Sequence, residues 1–498
     1  MMQEYHQAKE AAGDALLLFR MGDFYELFYE DAKTAAQAIG LTLTSRDKGE
    51  NPIPMAGFPH HQLEGYLGKL VALGHRVAIC EQVEDPKQAK GLVTRAVQRI
   101  VSPGTLTDDG LLDPRESNFL AAVVVDQPKG NAPPRAGLAW VELSTGHFFA
   151  SVTRVEQIGD ELARIGPAEV LLAEDETGLS SAACGFAMTT FRPPFAFAYD
   201  SAQASLTKHF GAKTLEGFGF GDDDRPAVRA AGAIFDYLQE TQRASLDHID
   251  RLLPYRRGQW MEIDHATRRS LELTRTMRDG SRSGTLLSVL DRCVTAMGSR
   301  EMANWLANPL TDAAAINARL DAVQQFVKDA ALCGQLREKL GDVYDLQRLI
   351  ARVTTGRASP RDLSFIAKTL AGLPAVKAKL TGRKSELLSS LEEQIDLCPE
   401  LRAKLEAALG EDCPLSPRDG GFIQAGFHGE LDELRSLATG GREWIARYQA
   451  QQINEADIPS LKVGYNKVFG YYIEVTNAHK DKVPEHFIRK QTLKNAER

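Results

Sequence analysis

In the stretch MGDFYELFYEDA, residues 21–32, a large ring at Phe24 and a carboxylate at Glu26 stand two positions apart, directly after the apolar run ALLLF. A ring beside an acid has three uses: packing in a core, anchoring to a membrane or partner, or wedging into a nucleic acid while the acid reaches a base edge. As a core residue, Phe24 opens a helical stripe with Leu27 and Phe28. As a wedge it needs an exposed element end, a polar group two residues away and cations nearby. The run KQAKGLVTRAVQR, residues 87–99, offers Lys87, Lys90, Arg95 and Arg99 with no acid between them. A second basic stretch, residues 462–498, holds eight Lys and Arg against four acids, and Lys467, Arg489, Lys490, Lys494 and Arg498 lie in its β-like pattern. Lysine and arginine without ordered aromatic or amide companions hold phosphates more readily than they read bases. The chain as a whole carries a net charge of −8, so contact with a polyanion is expected at two separated patches, and solvated surface is the plainer account of both.

Catalytic signatures are missing from the sequence. No G-x-x-x-x-G-K-[ST] occurs, and GYLGKL, residues 65–70, has the wrong spacing and no hydroxyl after its lysine. Neither H-E-x-x-H nor G-x-S-x-G is present. An enzyme reading rests on Asp126 and Glu142, on or beside adjacent β-like runs, as the acids of a two-metal nuclease, which needs several carboxylates within a few ångströms. Asp126 equally suits a turn at a strand end, and Glu142 an outward strand position between Val141 and Leu143. His60 and His61 lack a third ligand near in sequence and read as solvated side chains. The six cysteines are scattered without a C-x-x-C pair, which predicts reduced thiols rather than a disulfide frame or zinc site. No metal or cofactor is expected in this chain.

The elements that must position these residues are spread over 498 residues, enough for three or four domains. With 43% hydrophobic and 25% charged residues the composition is that of a soluble globular protein. The start, MMQEYHQAKEAAGDA, has no apolar signal region, and no uninterrupted apolar run is long enough to span a bilayer, so a cytoplasmic address is expected. Up to residue 110 or so, LLLF leads into a 3.6-period segment with Phe24, Leu27, Phe28, Ala35 and Ile39 on one side. LTLTS, HQLEGYLGKLVALG, RVAICEQV and AVQRIVS follow as alternating β-like and helix-like runs. The next region, NFLAAVVVDQPKGNAPPRAGLAWVELSTGHFFASV, has two β-rich runs joined by PKGNAPP, then the helix-like EQIGDELARIG and the buried-strand pattern EVLLA, an order of elements resembling a ribonuclease-H-like sheet. From about residue 256, long helical patterns such as AAINARLDAVQQFVKDAALCGQLREKL predict levers that span distance. The last stretch returns to β character, with Val463, Tyr465, Tyr471, Ile473 and Val475 alternating around Gly470.

LLLFRMGDFYELFYEDAKTAAQAIGLTLT, PIPMAGFPHHQLEGYLGKLVALGHRVAICEQVEDP and RIVSPGTLTDD resemble, in order, the mismatch-binding domain of the MutS family of bacterial DNA mismatch repair proteins. SRSGTLLSVLDRCVTAMGSREMANWLANPL is similar to the base of the family's levers, and LKVGYNKVFGYYIEVTNAHKDKVPEHFIRKQTLKNAER to its DNA-encircling clamp. The resemblance runs from the first residue to the last. It implies a multidomain α/β plus α-helical fold, with a mismatch-binding domain at 1–112, a ribonuclease-H-like connector at 118–240, a helical core and lever domain at 256–454 and an incomplete β-rich clamp at 455–498. The family's F-x-E element falls on Phe24-Tyr25-Glu26, which implies that Phe24 stacks on a mispaired base, that Glu26 accepts a hydrogen bond from its edge, and that basic residues hold the backbone. The implied partners are mismatched double-stranded DNA, a second copy in a homodimer of the intact protein, and a MutL-type repair protein, in a nucleoid-associated setting. In the family a nucleotide-binding domain using ATP and Mg follows the clamp. This chain stops at Arg498 inside the clamp, so no enzymatic activity is expected of it as it stands. A metal-dependent nuclease and a non-catalytic helical scaffold are the competing readings.

Overall fold

The apolar run before Phe24 becomes the centre of a sheet. The computed structural model describes residues 1–45, 52–84, 93–127, 133–176, 179, 185, 187–466 and 470–498. In it, β1 (Leu16–Met21) pairs antiparallel with β2 (Phe24–Phe28) and parallel with β5 (Val77–Gln82). β3 (Thr44–Ser45) and β4 (Pro54–Pro59) extend the sheet beyond β2, and β6 (Arg95–Val101) beyond β5, giving the order β3-β4-β2-β1-β5-β6. Alternation along the strands feeds two cores. Leu16, Leu18, Tyr25 and Leu27 pack with residues of the helices Tyr29–Ile39 and Leu63–Ala72, whereas Leu17, Phe19, Phe28 and Cys80 pack with Tyr5, Ala8 and Ala12 of the helix Met2–Ala12.

Residues 24–28 are therefore a strand, where the sequence pattern predicts a helix. Phe24, Leu27 and Phe28 satisfy a spacing of i, i+3, i+4, but Tyr25 and Leu27 follow the period of two that faces one core. Gly22, at φ 56°, makes the two-residue turn between the paired residues Met21 and Phe24, and the helix starts at Tyr29.

The second sheet runs β11 (Met188–Arg192), β10 (Glu169–Ala173), β7 (Leu120–Asp126), β8 (Arg135–Glu142), β9 (His147–Arg154), β12 (Leu253–Pro254). β7, β8 and β9 are successive antiparallel strands, and β10 and β11 add parallel to β7. The helix Arg225–Gln242 lies so close to β8 that a Cβ on Gly137 would sit 1.9 Å from the Pro226 carbonyl oxygen, so a side chain there would push the helix off the sheet. Glu169, fully buried, binds the two sheets together: it accepts hydrogen bonds from Ser102 Oγ, the Gly104 amide (3.0 Å), Thr190 Oγ1 (2.7 Å) and Tyr237 Oη (2.8 Å).

Past residue 256 the apolar pattern predicts long helices, and Pro360–Leu380 and Gly429–Ala456 run as expected, while others are cut short. AAINARLDAVQQFVKDAALCGQLREKL divides into Ala313–Lys328 and Ala330–Gly341, because the Asp329 side chain accepts from the Leu332 amide and starts a new helix. Thr295, Asp312 and Asp345 cap other helices in the same way.

All of this lies in one compact unit, Met1–Arg402; a second comprises Ala403–Arg498. In the second unit the helix Gly429–Ala456 has 28 residues, a length of about 42 Å. Its final residue, Ala456, is buried with Ile458, Leu461 and Val475 beside a small sheet of β13 (Lys462–Asn466), β14 (Gly470–Thr476) and β15 (Ala496–Glu497). Val463 pairs with Ile473 and Tyr465 with Tyr471. Among the described residues no helix is long and apolar enough to cross a membrane, and Cys80, Cys293, Cys333, Cys398 and Cys413 are free thiols.

Candidate nucleic-acid interface

The β1–β2 turn is tied down on both sides. Arg20 donates its Nε–H to the Gly22 carbonyl at 2.5 Å, and the Asp23 carbonyl accepts from the His60 amide at 2.8 Å, with His60 Nδ1 3.1 Å away. Phe24 follows at once, first in β2 and paired with Met21 and Pro59. Its ring is 46% exposed, whereas Tyr25 and Leu27 beside it are buried. The core reading of Phe24 is thereby excluded, and a ring stands at the open end of a strand whose own turn cannot easily yield.

Glu26 lies on the same side of β2 as Phe24, half-buried, opposite Phe19 on β1 and Gly57 on β4. A Cβ on Gly57 would come within 2.8 Å of the Tyr25 carbonyl oxygen and 3.5 Å of Glu26 Cγ, so this position holds glycine and lets β4 pack closely against Glu26. On the opposite face the Tyr25 hydroxyl donates to Glu81 and the Arg20 guanidinium lies 5.4 Å from its ring centroid. Burial, reinforced by the Glu81 carboxylate, raises the Tyr25 phenol well above its ordinary range, so it stays a neutral donor. His60 and Gly57 are the positioning residues that sequence reasoning missed. The GF dipeptide at 57–58, inside the alternation of PMAGFP, is the signal that could have found Gly57.

The basic candidates divide. Lys87, Lys90 and Lys467 lie outside the described residues. Arg95 is committed to the fold: its Nε donates to the Arg20 carbonyl at 2.8 Å and its Nη1 pairs with Glu4 at 3.0 Å, leaving the side chain 7% exposed. Arg99 binds both oxygens of Asp108, at 2.8 and 2.7 Å. These two are corrected from backbone-holding cations to internal struts, because a run without acids in sequence meets its acids across the fold. Arg498 is likewise engaged, with Glu474 at 2.7 Å and its guanidinium 4.5 Å from the Tyr472 ring centroid. Lys490, Lys494 and Arg489 remain exposed in the second unit, and among the described residues Arg489 alone of the three pairs with an acid, Glu497 at 3.2 Å.

The nuclease constellation does not assemble. Asp126 pairs with Arg135 at one end of the β7–β8 ladder, and Glu142 stands just past the Leu120–Val141 pair at the other, about 20 Å away at the rise of an antiparallel strand. Asp126 is taken up by Arg229 at 3.2 Å. Glu142 is buried between Ser144 Oγ, at 3.2 Å, and Arg348, at 3.6 Å. Among the described residues no group of three or more His, Cys, Asp or Glu is placed to hold a metal.

Family profiles described as MutS domain I, MutS domain II and MutS domain III match residues 1–110, 118–250 and 266–495. Along its whole length the chain is 57% identical to the DNA mismatch repair protein MutS of Rhodopirellula baltica. The chain belongs to the MutS family. It is 44% identical to the MutS proteins of Salinibacter ruber and Methanothrix thermoacetophila, again over all of this chain. The chain spans 55 to 58% of the length of these three MutS relatives. Phe24 and Glu26 fall within the match to MutS domain I, and Arg489, Lys490 and Lys494 within the match to MutS domain III.

Proposed function

We propose that this chain recognises mispaired or unpaired bases in duplex DNA as the sensing part of mismatch repair. The observation that carries the reading is the half-exposed Phe24 ring at the end of β2, backed by a stitched turn, with Glu26 two residues on along the same face. Mispairs are weakly stacked, so inserting a ring in the minor groove and kinking the duplex costs less there than at a paired step. Phe24 stacks on the displaced base and Glu26 accepts a hydrogen bond from its edge. A carboxylate among phosphates repels correct duplex, which favours release where no mispair repays it. Lys490, Lys494 and Arg489, with Lys87, Lys90 and Lys467, supply sequence-independent hold on the backbone.

In this reading the chain divides into a mismatch-binding domain at 1–112, a connector at 118–240, a helical core and lever at 256–454 and a clamp at 455–498. The 3-2-1-4-5 neighbour order of β9, β8, β7, β10 and β11, antiparallel then parallel, supports a ribonuclease-H-like connector. The intact protein works as a homodimer with a MutL-type partner and couples recognition to ATP and Mg. The segment GYLGKL does not fit those ligands: Gly65, Gly68 and Lys69 lie inside the helix Leu63–Ala72, where no loop of amides cradles a phosphate. This chain is therefore read as a binding protein without catalysis. Titration of labelled duplexes tests the function: tighter binding to a G·T or unpaired-T duplex than to homoduplex is expected, and equal affinities refute it. Cleavage that depends on Mg²⁺ or Mn²⁺ would revive the nuclease.

A further inference from the structure

Between β6 and β7 the chain crosses from the Phe24-bearing sheet to the second sheet with little regular structure of its own, two short turns at Pro103–Thr105 and Asp109–Leu111. Many of its hydrogen bonds come from arginines more than 150 residues away. Four consecutive carbonyls accept from them: Asp113 from Arg348 Nη1 (3.0 Å), Pro114 from Arg300 Nη1 (2.8 Å), Arg115 from Arg282 Nη1 (3.3 Å) and Glu116 from Arg348 Nη2 (2.7 Å). Earlier in the same segment Arg352 pairs with Asp109 at 2.5 Å and Arg357 donates to Thr107.

The grip is buried and itself anchored. The Arg348 and Arg300 side chains are 3% and 5% exposed. Arg300 is held by both oxygens of Asp345, at 2.6 and 2.9 Å. Burial and then the like charge of Arg99 pull Arg357 down to about 10, which still leaves it cationic at neutral pH. Burying guanidinium groups is costly, and apolar side chains of the same volume would hold such a junction at least as firmly. What a planar fork adds is direction: one Arg348 side chain fixes two carbonyls three residues apart, which neither leucine nor lysine can do.

We propose that this arginine clasp is a positioning device for mispair discrimination, with Arg348 as its central positioning residue. A ring pressed into a duplex meets a restoring force from the bent DNA, and the domain carrying it must be braced against the rest of the chain. The clasp braces the segment through which that load passes, so that Phe24 kinks a mispair instead of swinging aside. This inference rests on the mismatch-recognition reading.

The test uses the full 498-residue chain, fluorescence anisotropy on G·T and homoduplex DNA across a salt series, and a duplex labelled at both ends to report bending. Arg348→Lys keeps the charge and loses the fork. The mismatch-to-homoduplex affinity ratio is expected to fall about fivefold, as for one or two lost hydrogen bonds, with weaker bending. Homoduplex affinity and salt slope should hold, since no phosphate contact is removed. Asp109→Asn combined with Glu116→Gln acts on exposed or half-exposed linker side chains, which pair with Arg352 and Arg275, and should lower the ratio in the same direction; this pair decides the matter if Arg348→Lys does not fold. A ratio equal to the parent's, or an equal loss on both duplexes accompanied by early melting, overturns the clasp. If the parent chain itself shows no preference, the mismatch reading has failed and the clasp falls with it. A parent that discriminates beside variants that match it marks failure of the clasp alone.

Discussion

Truncating Phe24 to alanine separates a presented ring from a packed one by magnitude. A fully buried phenylalanine costs about 3 to 5 kcal/mol on truncation. Phe24 is 46% exposed and belongs to neither core of its sheet, so scaling by the buried share gives a cost of about 1.5 to 2.5 kcal/mol. Its contribution to DNA should be of another order in selectivity. Stacking of a base on an aromatic side chain is worth about 1 to 3 kcal/mol, which corresponds to roughly a 5- to 150-fold loss of preference for a mispair. Chemical denaturation followed by circular dichroism reads the first quantity. Anisotropy on G·T and homoduplex DNA at one salt concentration reads the second. Phe24→Ala is expected to fold, to retain weak salt-sensitive binding and to lose most of its preference. A stability loss of core size with the preference intact would refute the wedge.

Glu26→Gln removes charge and keeps a polar group, so homoduplex binding should tighten, most at low salt, and the specificity ratio should shrink; unchanged homoduplex affinity across the salt series counts against the role. Lys490→Ala with Lys494→Ala should weaken binding to both duplexes about equally and flatten the salt slope by roughly one to two units of log K per log salt, and identical slopes would show that these lysines do not touch phosphate. For Asp108, burial alone would raise the carboxyl, but the hydrogen bonds and charge of Arg99, with Arg357 behind, hold it below the ordinary carboxylate value. A depressed pKa stabilises the fold above the unfolded value, about 3.9, and that contribution is lost as pH falls through the folded value. Asp108→Asn should therefore cost about 3 kcal/mol at pH 7, with a gap to the parent that narrows below pH 4; a gap constant with pH, followed by urea denaturation, would show that the ion pair is not its source.

Some of this architecture could be read from the sequence and some could not. The NFLAAVVVD run alternates cleanly between two buried faces and is β7, whereas the run AGLAWVELSTGHFFASV, read as one, is divided by the turn at Glu142–Gly146 into β8 and β9. β2 was misread because a five-residue strand that runs straight into a helix satisfies both periods at once, and the deciding feature was the Gly22-Asp23 turn rather than any apolar residue. The cuts in the later helices were written in Asp312, Asp329 and Asp345, whose capping role outweighs the continuous apolar pattern around them. In the candidate site, Phe24 and Glu26 were visible as residue types, but exposure is a property of the whole sheet. The partners of Arg95 and Arg99 were not legible from the basic run, since Glu4 lies 91 residues from Arg95 and Asp108 beyond the end of the run.

Cys80 makes the sheet that carries Phe24 its own chemical clock. It lies on β5 opposite Phe19, fully buried beneath the first helix, and burial pushes its thiol up to about 12 against the opposing influence of Arg95. Only the thiolate reacts with an alkylating reagent, so at neutral pH Cys80 is modified only while the sheet is open. Once the half-exposed Cys293, Cys333 and Cys398 have been blocked, the slow labelling rate at Cys80, located by peptide mass, measures the free energy of opening that sheet. The same rate taken with mispaired and with correct duplex present would tell how much of the binding energy reaches β5, two strands across the sheet from the wedge.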